Sequence, residues 1–375
     1  MSAPVAVTLF VIAILVVILI HEAAHFGMAK LFGIKVEEFF LGFGPRLWST
    51  RRGETEYGVK ALPFGGYVRI AGMNPFQEPT PEELPRTFGA KPAWQRALVI
   101  VAGPATHFVI AFVIMVAFFA LVGQPRFEPV VSGVDAKLAG HPSPASVAGL
   151  QKGDLVIRVD RIRHPDENQL IDYTKAHVGR PMTLVLDRHG RRVTVTVTPV
   201  HDPEHGTGRI GVLLSPGRSL PSERSGPVES VGKGGAAVGQ FSWAVIQRLG
   251  QVFGPEGIGR IVDLLFGNAQ RGPGDVTSVV GVARAAGQAS SAGDASAILL
   301  ILASVNVFVG ILNLVPLPPF DGGHLAVLAY EKIRRRKVDM RRLVPVTAVV
   351  AAFLVLFMVS VLYLDIVKPL PNVFR

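Results

Sequence analysis

The residues HEAAH, His21 to His25, carry the most specific chemistry in this sequence. On a helix, positions i and i+4 lie on one face, so both imidazoles can reach one metal ion. Glu22 sits beside them, placed to act as a base on water rather than to ligate. The pattern ends an apolar run that starts near Val5 and continues to Ala29. Ionisable residues within a span are costly and by default mark function. The plainer alternative is that they simply end a helix and face the membrane interface. Two His do not complete a catalytic zinc site, which usually has three protein ligands plus water. The sequence has no Cys, which removes disulfides, thiol nucleophiles and Cys-based zinc sites together. The third ligand must then be His, Asp or Glu. The best candidate is Asp321 in NLVPLPPFDGGH, where Pro316, Pro318 and Pro319 stop a helix and Gly322 and Gly323 permit tight turns. Such irregular backbone is tolerated at membrane depth only where it is buried in protein or lines a wet cavity. An Asp before Gly, taken alone, is more often a turn former.

Four segments are long and apolar enough to cross a bilayer. They are residues 1–30, carrying HEAAH, then 97–123, 297–315 and 343–364. The composition agrees: 49% of the 375 residues are hydrophobic and 18% charged, against roughly 25% charged in soluble proteins. The first segment lacks the basic start and clean cleavage site of a signal peptide and reads as a retained helix. The net charge of +10 could mean nucleic acid or membrane. Its distribution decides. The loop YEKIRRRKVDMRR between the third and fourth spans is short and strongly basic, which assigns it to the cytoplasm. The loop 31–96 has the same parity. The N-terminus and the long segment after the second span then lie outside, with no nucleic-acid partner. HEAAH and Asp321 both fall at the inner ends of their spans. That shared depth favours Asp321 as a ligand over Asp321 as a turn former.

Residues 128–215 read as a small α/β module, with strands near 129–134, 154–160, 182–187 and 192–199 and a helix over 166–177. Residues 216–295 read as a Ser/Gly/Pro/Arg-rich linker followed by membrane-proximal helices. In the loop 31–96, aromatic and β-branched stretches at 34–48 and 54–70 flank the turn-like TRRGE and predict a membrane-associated β-hairpin. Its edge could capture an extended peptide by strand addition. The alternative is a folded loop with no binding role.

With HEAAH on a first span, a four-span core, the external module and NLVPLPPFDGG, the chain resembles the site-2 protease family. Within it, the nearest likeness is the bacterial PDZ-containing branch, the regulator-of-sigma intramembrane zinc metalloproteases. GFGPRL (42–47), ETEYGVKALPFGGYVRIAGM (54–73) and VAGPATHF (101–108) extend the likeness over most of the chain. The resemblance implies an α-helical membrane protein with four transmembrane helices, a membrane-associated β-hairpin and an inserted α/β PDZ-like domain. It implies Zn2+ held by His21, His25 and Asp321, in the span and in the Asp-Gly loop 316–324, with Glu22 as catalytic base. It also implies that Gly42, Gly44, Gly65, Gly66, Tyr67 and Asn313 hold substrate. The expected reaction is hydrolysis within transmembrane segments in the bacterial cytoplasmic membrane. The implied partners are single-span membrane proteins such as anti-sigma factors, or remnant signal peptides, together with the lipid bilayer.

Two departures stand out. Phe320 occupies a position where the family usually has Leu, a mild packing change. His107 stands where the family often has Asn; it is either a hydrogen-bonded helix contact or a group supporting the zinc site. Two other functions fit parts of the pattern. A non-catalytic PDZ scaffold is disfavoured by the intact HEAAH and Asp321. A metal transporter is disfavoured by the external module and the lack of repeated broken helices.

Overall fold

The computed structural model describes residues 3–74, 76, 79–138, 140–203, 206–272, 274–291 and 295–370. The chain divides into two compact units: Met1–Phe118 with Pro227–Arg375, and Phe119–Gly226. Among the described residues, four helices are long and apolar enough to span a membrane: Val7–Leu31, Ala93–Val122, Ser296–Leu314 and Met340–Val367. The protein is thus a multi-pass α-helical membrane protein with a β-rich region and an inserted α/β module.

Helix α1 (Ala3–Leu31) is apolar on all sides until His21, as a buried or lipid-facing helix must be. Strands β1 (Val36–Arg52) and β2 (Thr55–Ile70) follow. The pairing exceeds a simple hairpin. Residues 38–41 pair with 56–59 on one side and with 66–69 on the other, and 48–52 pair with 55–59. Repeated register shifts curl the ribbon, as bulges do. Gly42 turns the chain where any Cβ would strike the Leu62 carbonyl at 2.6 Å. Helix α2 (Ala93–Ala117) runs on into a π-helical turn, Phe118–Val122.

The second unit holds β3 (Gln124–Val134), the two-residue strands β4 (Lys137–Leu138) and β5 (His141–Pro142), and the single-turn helix α3 (Pro144–Val147). Then come β6 (Leu155–Val159), β7 (Ile162–Arg163) and α4 (Glu167–Ala176), the last opened by a capping box between Asp166 and Gln169. Strands β8 (Met182–Arg188), β9 (Arg191–Val197), β10 (Val200–Asp202), β11 (Thr207–Arg209) and β12 (Val212–Glu223) complete it. The main sheet is antiparallel with order β12-β3-β6-β8-β9, and β7 hangs on β6. Val156, Leu170, Leu184 and Leu186 lie in its core. One expectation fails here. Much of the Ser/Gly/Pro/Arg-rich stretch read as a linker is strand β12, paired with β3 as far as Glu223↔Gln124. Pro216 and Pro221 misled the reading, because Pro is tolerated in an edge strand whose outer side needs no ladder bond.

The chain returns through α5 (Pro227–Val252), α6 (Pro255–Phe266) and α7 (Val279–Ser291). The end of the Gly/Ala/Ser-rich stretch, 292–294, lies outside the described residues. Helices α8 (Ala295–Leu314), α9 (Asp321–Arg334) and α10 (Val344–Val367) close the unit. Helix α2 packs against both α1 and α8. Gly310 on α8 permits that approach, since a Cβ there would meet Phe108 and His107 at 3.0 and 3.1 Å. Ile34, Val36, Ile70, Val99, Ile100 and Leu328 form a core that ties α1, the ribbon, α2 and α9 together.

In the second unit Asp154 is fully buried, and Arg188 grips it with two bonds of 2.7 Å. Burial alone would raise the Asp154 carboxyl, but the guanidinium and the Gln151 N–H hold it below the usual range. A depressed folded value makes this stabilisation complete above about pH 4, the ordinary aspartate value, and lost as pH falls through the folded one. We expect Asp154→Asn to cost the module about 3 kcal/mol, because Arg188 loses its ionic partner. Amide exchange in β6 and β8 should accelerate accordingly at neutral pH, and the gap from wild type should narrow on acidification.

Candidate metal centre

His21 and His25 occupy one face of α1 within the span Val7–Leu31. Both are at least nine-tenths buried. Their Nε2 atoms lie 3.1 Å apart. Asp321 Oδ2 is 3.4 Å from His21 Nε2 and 3.3 Å from His25 Nε2. These residues form the metal-competent His/Asp/Glu group found among the described residues. A tetrahedral zinc with bonds of about 2.0–2.1 Å holds its donors roughly 3.3–3.4 Å apart, so the triangle has the right size. Asp321 Oδ2 is buried and has no hydrogen-bond partner among the described residues. An orphaned carboxylate oxygen facing two imidazole nitrogens is costly unless a cation completes the group. The donor set therefore fits zinc.

Three devices hold the triangle. His25 Nδ1 lies 2.8 Å from the Val99 carbonyl of α2. Only a protonated Nδ1 can donate there, which leaves Nε2 as the lone-pair donor. Gly103, one turn further along α2, supplies the room. A Cβ on it would lie 2.2 Å from His25 Nε2 and 2.7 Å from His21 Cε1. Asp321 is brought in by the loop after α8, which contains a cis Pro318–Pro319 bond. Gly322 and Gly323 let this loop fold onto α9, since Cβ atoms there would strike the Leu314 and Val315 backbone at 2.3–2.4 Å and the Pro318 nitrogen at 2.5 Å. Asp321 is the first residue of α9, where the helix dipole favours a carboxylate.

The three donors line a cleft of about 370 Å³ together with Glu22, Tyr67, Val68, Met73, Pro319 and His324. Glu22 shares the cleft and presents the one carboxylate besides Asp321 among its walls. Gly66 passes close to it; a Cβ there would stand 3.1 Å from Glu22 Cγ. Segment 66–69 is paired on one side only among the described residues. The structure thus brings together His21, Glu22, His25, Asp321, Gly66 and Tyr67. Gly42, Gly44 and Gly65 shape the bends of the ribbon, against Leu62 and Phe43, and are not cleft walls. Asn313 is half-buried near the end of α8 and is also not a wall.

His107 makes the helix contact considered for it and approaches the His21 ring. Its Nδ1 lies 3.3 Å from Asn306 Oδ1 on α8, and its ring centroid is 5.0 Å from that of His21. The sequence reading missed Gly103, the Val99 carbonyl and His324. The block VAGPATHF contained Gly103, but nothing in it says which glycine must face an imidazole.

A family model for peptidase family M50 matches residues 9–357. The chain is 32% identical over 410 residues to the zinc metalloprotease Rip1 of Mycobacterium tuberculosis, covering 97% of this chain and 98% of the relative. It is 33% identical over 404 residues to Rip1 of Mycolicibacterium smegmatis, covering 98% of each. It is 31% identical over 366 residues to the metalloprotease MmpA of Caulobacter vibrioides, covering 88% of this chain and 86% of that one. A PDZ domain of the SdrC-like protein from Listeria monocytogenes aligns with 23% of this chain and 85% of its own length, at 22% identity and a TM-score of 0.20. Since the family match takes in HEAAH, the ribbon and the Asp-Gly loop, and the relatives align almost end to end, the chain belongs to peptidase family M50, the site-2 protease family its motifs resemble.

Proposed function

We propose that this zinc metalloprotease cuts peptide bonds inside the transmembrane segments of other membrane proteins, with His21, His25 and Asp321 holding the zinc and Glu22 as base. The observation that carries the reading is the three-donor triangle with its orphaned carboxylate oxygen, two donors on the span Val7–Leu31 and the third at the start of α9, sharing one cleft with Glu22. When bound, zinc supplies a Lewis acid and lowers the pKa of water toward neutrality. Glu22 takes the proton of the attacking water and returns it to the leaving amine. Val99 keeps His25 in the ligating tautomer.

A helical substrate hides its carbonyls in its own hydrogen bonds and must unwind to be cut. Unpaired backbone at membrane depth costs several kcal/mol per group, of the order seen for polar transfer into hydrocarbon. The one-sided segment 66–69 offers N–H and C=O groups beside Glu22, so strand addition there would re-satisfy the unwound stretch. Gly66 and Tyr67 serve substrate binding in this way, with Gly42, Gly44 and Gly65 setting the curl and Asn313 holding chain near the Asp-Gly loop.

The basic loop around Lys332–Arg342 orients the chain with that loop in the cytoplasm. The site then lies toward the cytoplasmic side of the bacterial inner membrane, and the N-terminus and the inserted module lie outside. The PDZ-like module then runs from β3 through β12, followed by the membrane-proximal helices. Single-span anti-sigma factors already trimmed outside are the favoured substrates, with the module as a size filter.

We expect Glu22→Gln to retain zinc while cleavage of a model transmembrane substrate falls by about 10²–10⁴-fold; equal cleavage by both proteins would remove Glu22 as the base. Asp321→Ala should lower zinc content measured by atomic absorption, and unchanged occupancy would place the third ligand elsewhere. Gly103→Ala should weaken zinc affinity about 10–100-fold, because its Cβ occupies the space of the His25 ring. Zinc titration of the purified protein checks it.

A further inference from the structure

A further opening adjoins the metal cleft at His324. A second groove, of about 490 Å³, shares Met73, Pro319 and His324 with it. The two openings therefore adjoin at these three residues. The far wall is the start of α10, where Thr347, Ala348 and Ala351 stand at i, i+1 and i+4. Positions 347 and 351, and 348 and 351, are neighbours on one helix face. Their side chains are small, and that smallness is what leaves the groove open. Among the described residues lining it there is no Asp, Glu, Lys or Arg, and His324 is the one ionisable group.

We propose that this groove is a specificity subsite. It takes the side chain of a substrate residue next to the cut bond, and it selects a large, uncharged, apolar one. The inference rests on the proposed proteolysis at the adjoining cleft. In an extended chain, successive side chains point to opposite sides. When the carbonyl to be cut lies beside Glu22 and Asp321, one flanking side chain must leave the cleft across its walls, and the opening past His324 and Pro319 receives it. An apolar groove of this kind rewards added methylenes and penalises a charge that would be buried without a partner. Thr347, Ala348 and Ala351 set the depth, so a larger residue on α10 shortens the side chain that fits.

The test uses the full-length, zinc-loaded protein in nanodiscs and a set of model transmembrane substrates that differ only at the residues flanking the cut. Wild type should cleave the Leu and Phe members at least about tenfold more efficiently than the Ala or Asp members, judged by kcat/KM. In Ala348→Phe and Ala351→Phe the Phe-to-Ala ratio should fall at least about tenfold. A parallel loss on every member, or an unchanged ratio, overturns the subsite. A photo-crosslinking side chain placed at Thr347 in the Glu22→Gln protein gives a readout independent of turnover. Trapping of substrate at a residue adjoining the cut supports the subsite, and trapping of lipid alone overturns it. Substrate trapped without any wild-type cleavage supports the groove and sinks the proteolytic reading; cleavage without trapping or ratio change does the reverse.

Discussion

Everything near the cleft depends on bringing one carboxylate against two imidazoles inside a membrane-spanning bundle. The donors lie within 3.4 Å of one another, and Asp321 has a buried oxygen with no hydrogen-bond partner among the described residues. Buried charge of this kind is stabilising only when its geometry is right and its partners are complete. The surrounding architecture reads as a set of solutions to that demand. Helix α1 supplies two imidazoles one turn apart. Helix α2 fixes one tautomer through Val99 and yields space at Gly103. The loop after α8 stops one helix and starts another so that Asp321 opens α9.

Each solution uses backbone where a side chain would be too large or too mobile. Gly103, Gly322 and Gly323 sit where Cβ atoms would lie 2.2–2.5 Å from a neighbour. These contacts leave little slack, and a shift of a few tenths of an ångström in α2 moves both imidazoles. Close packing of α2 against α1 and α8 is therefore part of the metal site, even though α2 contributes no ligand. The pairing of His107 with Asn306 has the same character, since it fastens α2 to α8 beside the His21 ring. Polar side chains that bond across helices hold register in a membrane.

The His21, His25 and Asp321 cluster and the four candidate spans were legible because each rests on a local rule. HEAAH states its own geometry on a helix, the absence of Cys narrows the third ligand, and apolar runs report their length. The ribbon was legible as β structure but not as a curl in which 38–41 pair on both sides, because bulges leave no period in the sequence. Strand β12 hid behind Pro216, Pro221 and Gly217, residues that usually mark linkers; its partner β3 lies some 90 residues earlier, and only that pairing makes it a strand. Gly103 was invisible for a similar reason. Its function is the absence of a Cβ toward residues about 80 positions away.

Helix α10 follows a different logic from the other spans. Fewer of its residues are buried than in the span containing α2, so less side-chain packing fixes it. Near its end, Asp365 is almost fully buried and accepts from Arg271 at 2.6 Å, from the Ser278 backbone N–H at 2.6 Å and from Thr277. Arg284 donates to the Asp365 carbonyl at 2.7 Å. A buried pair with this many partners gives a specific register, because any slip leaves a charge without its donors. The opposite end of the same helix presents Thr347, Ala348 and Ala351 to the groove beside the metal cleft. One polar node thus positions a helix whose other end presents these three residues to the groove. An apolar interface alone would let α10 slide against lipid at little cost, and the depth of the groove would then be undefined.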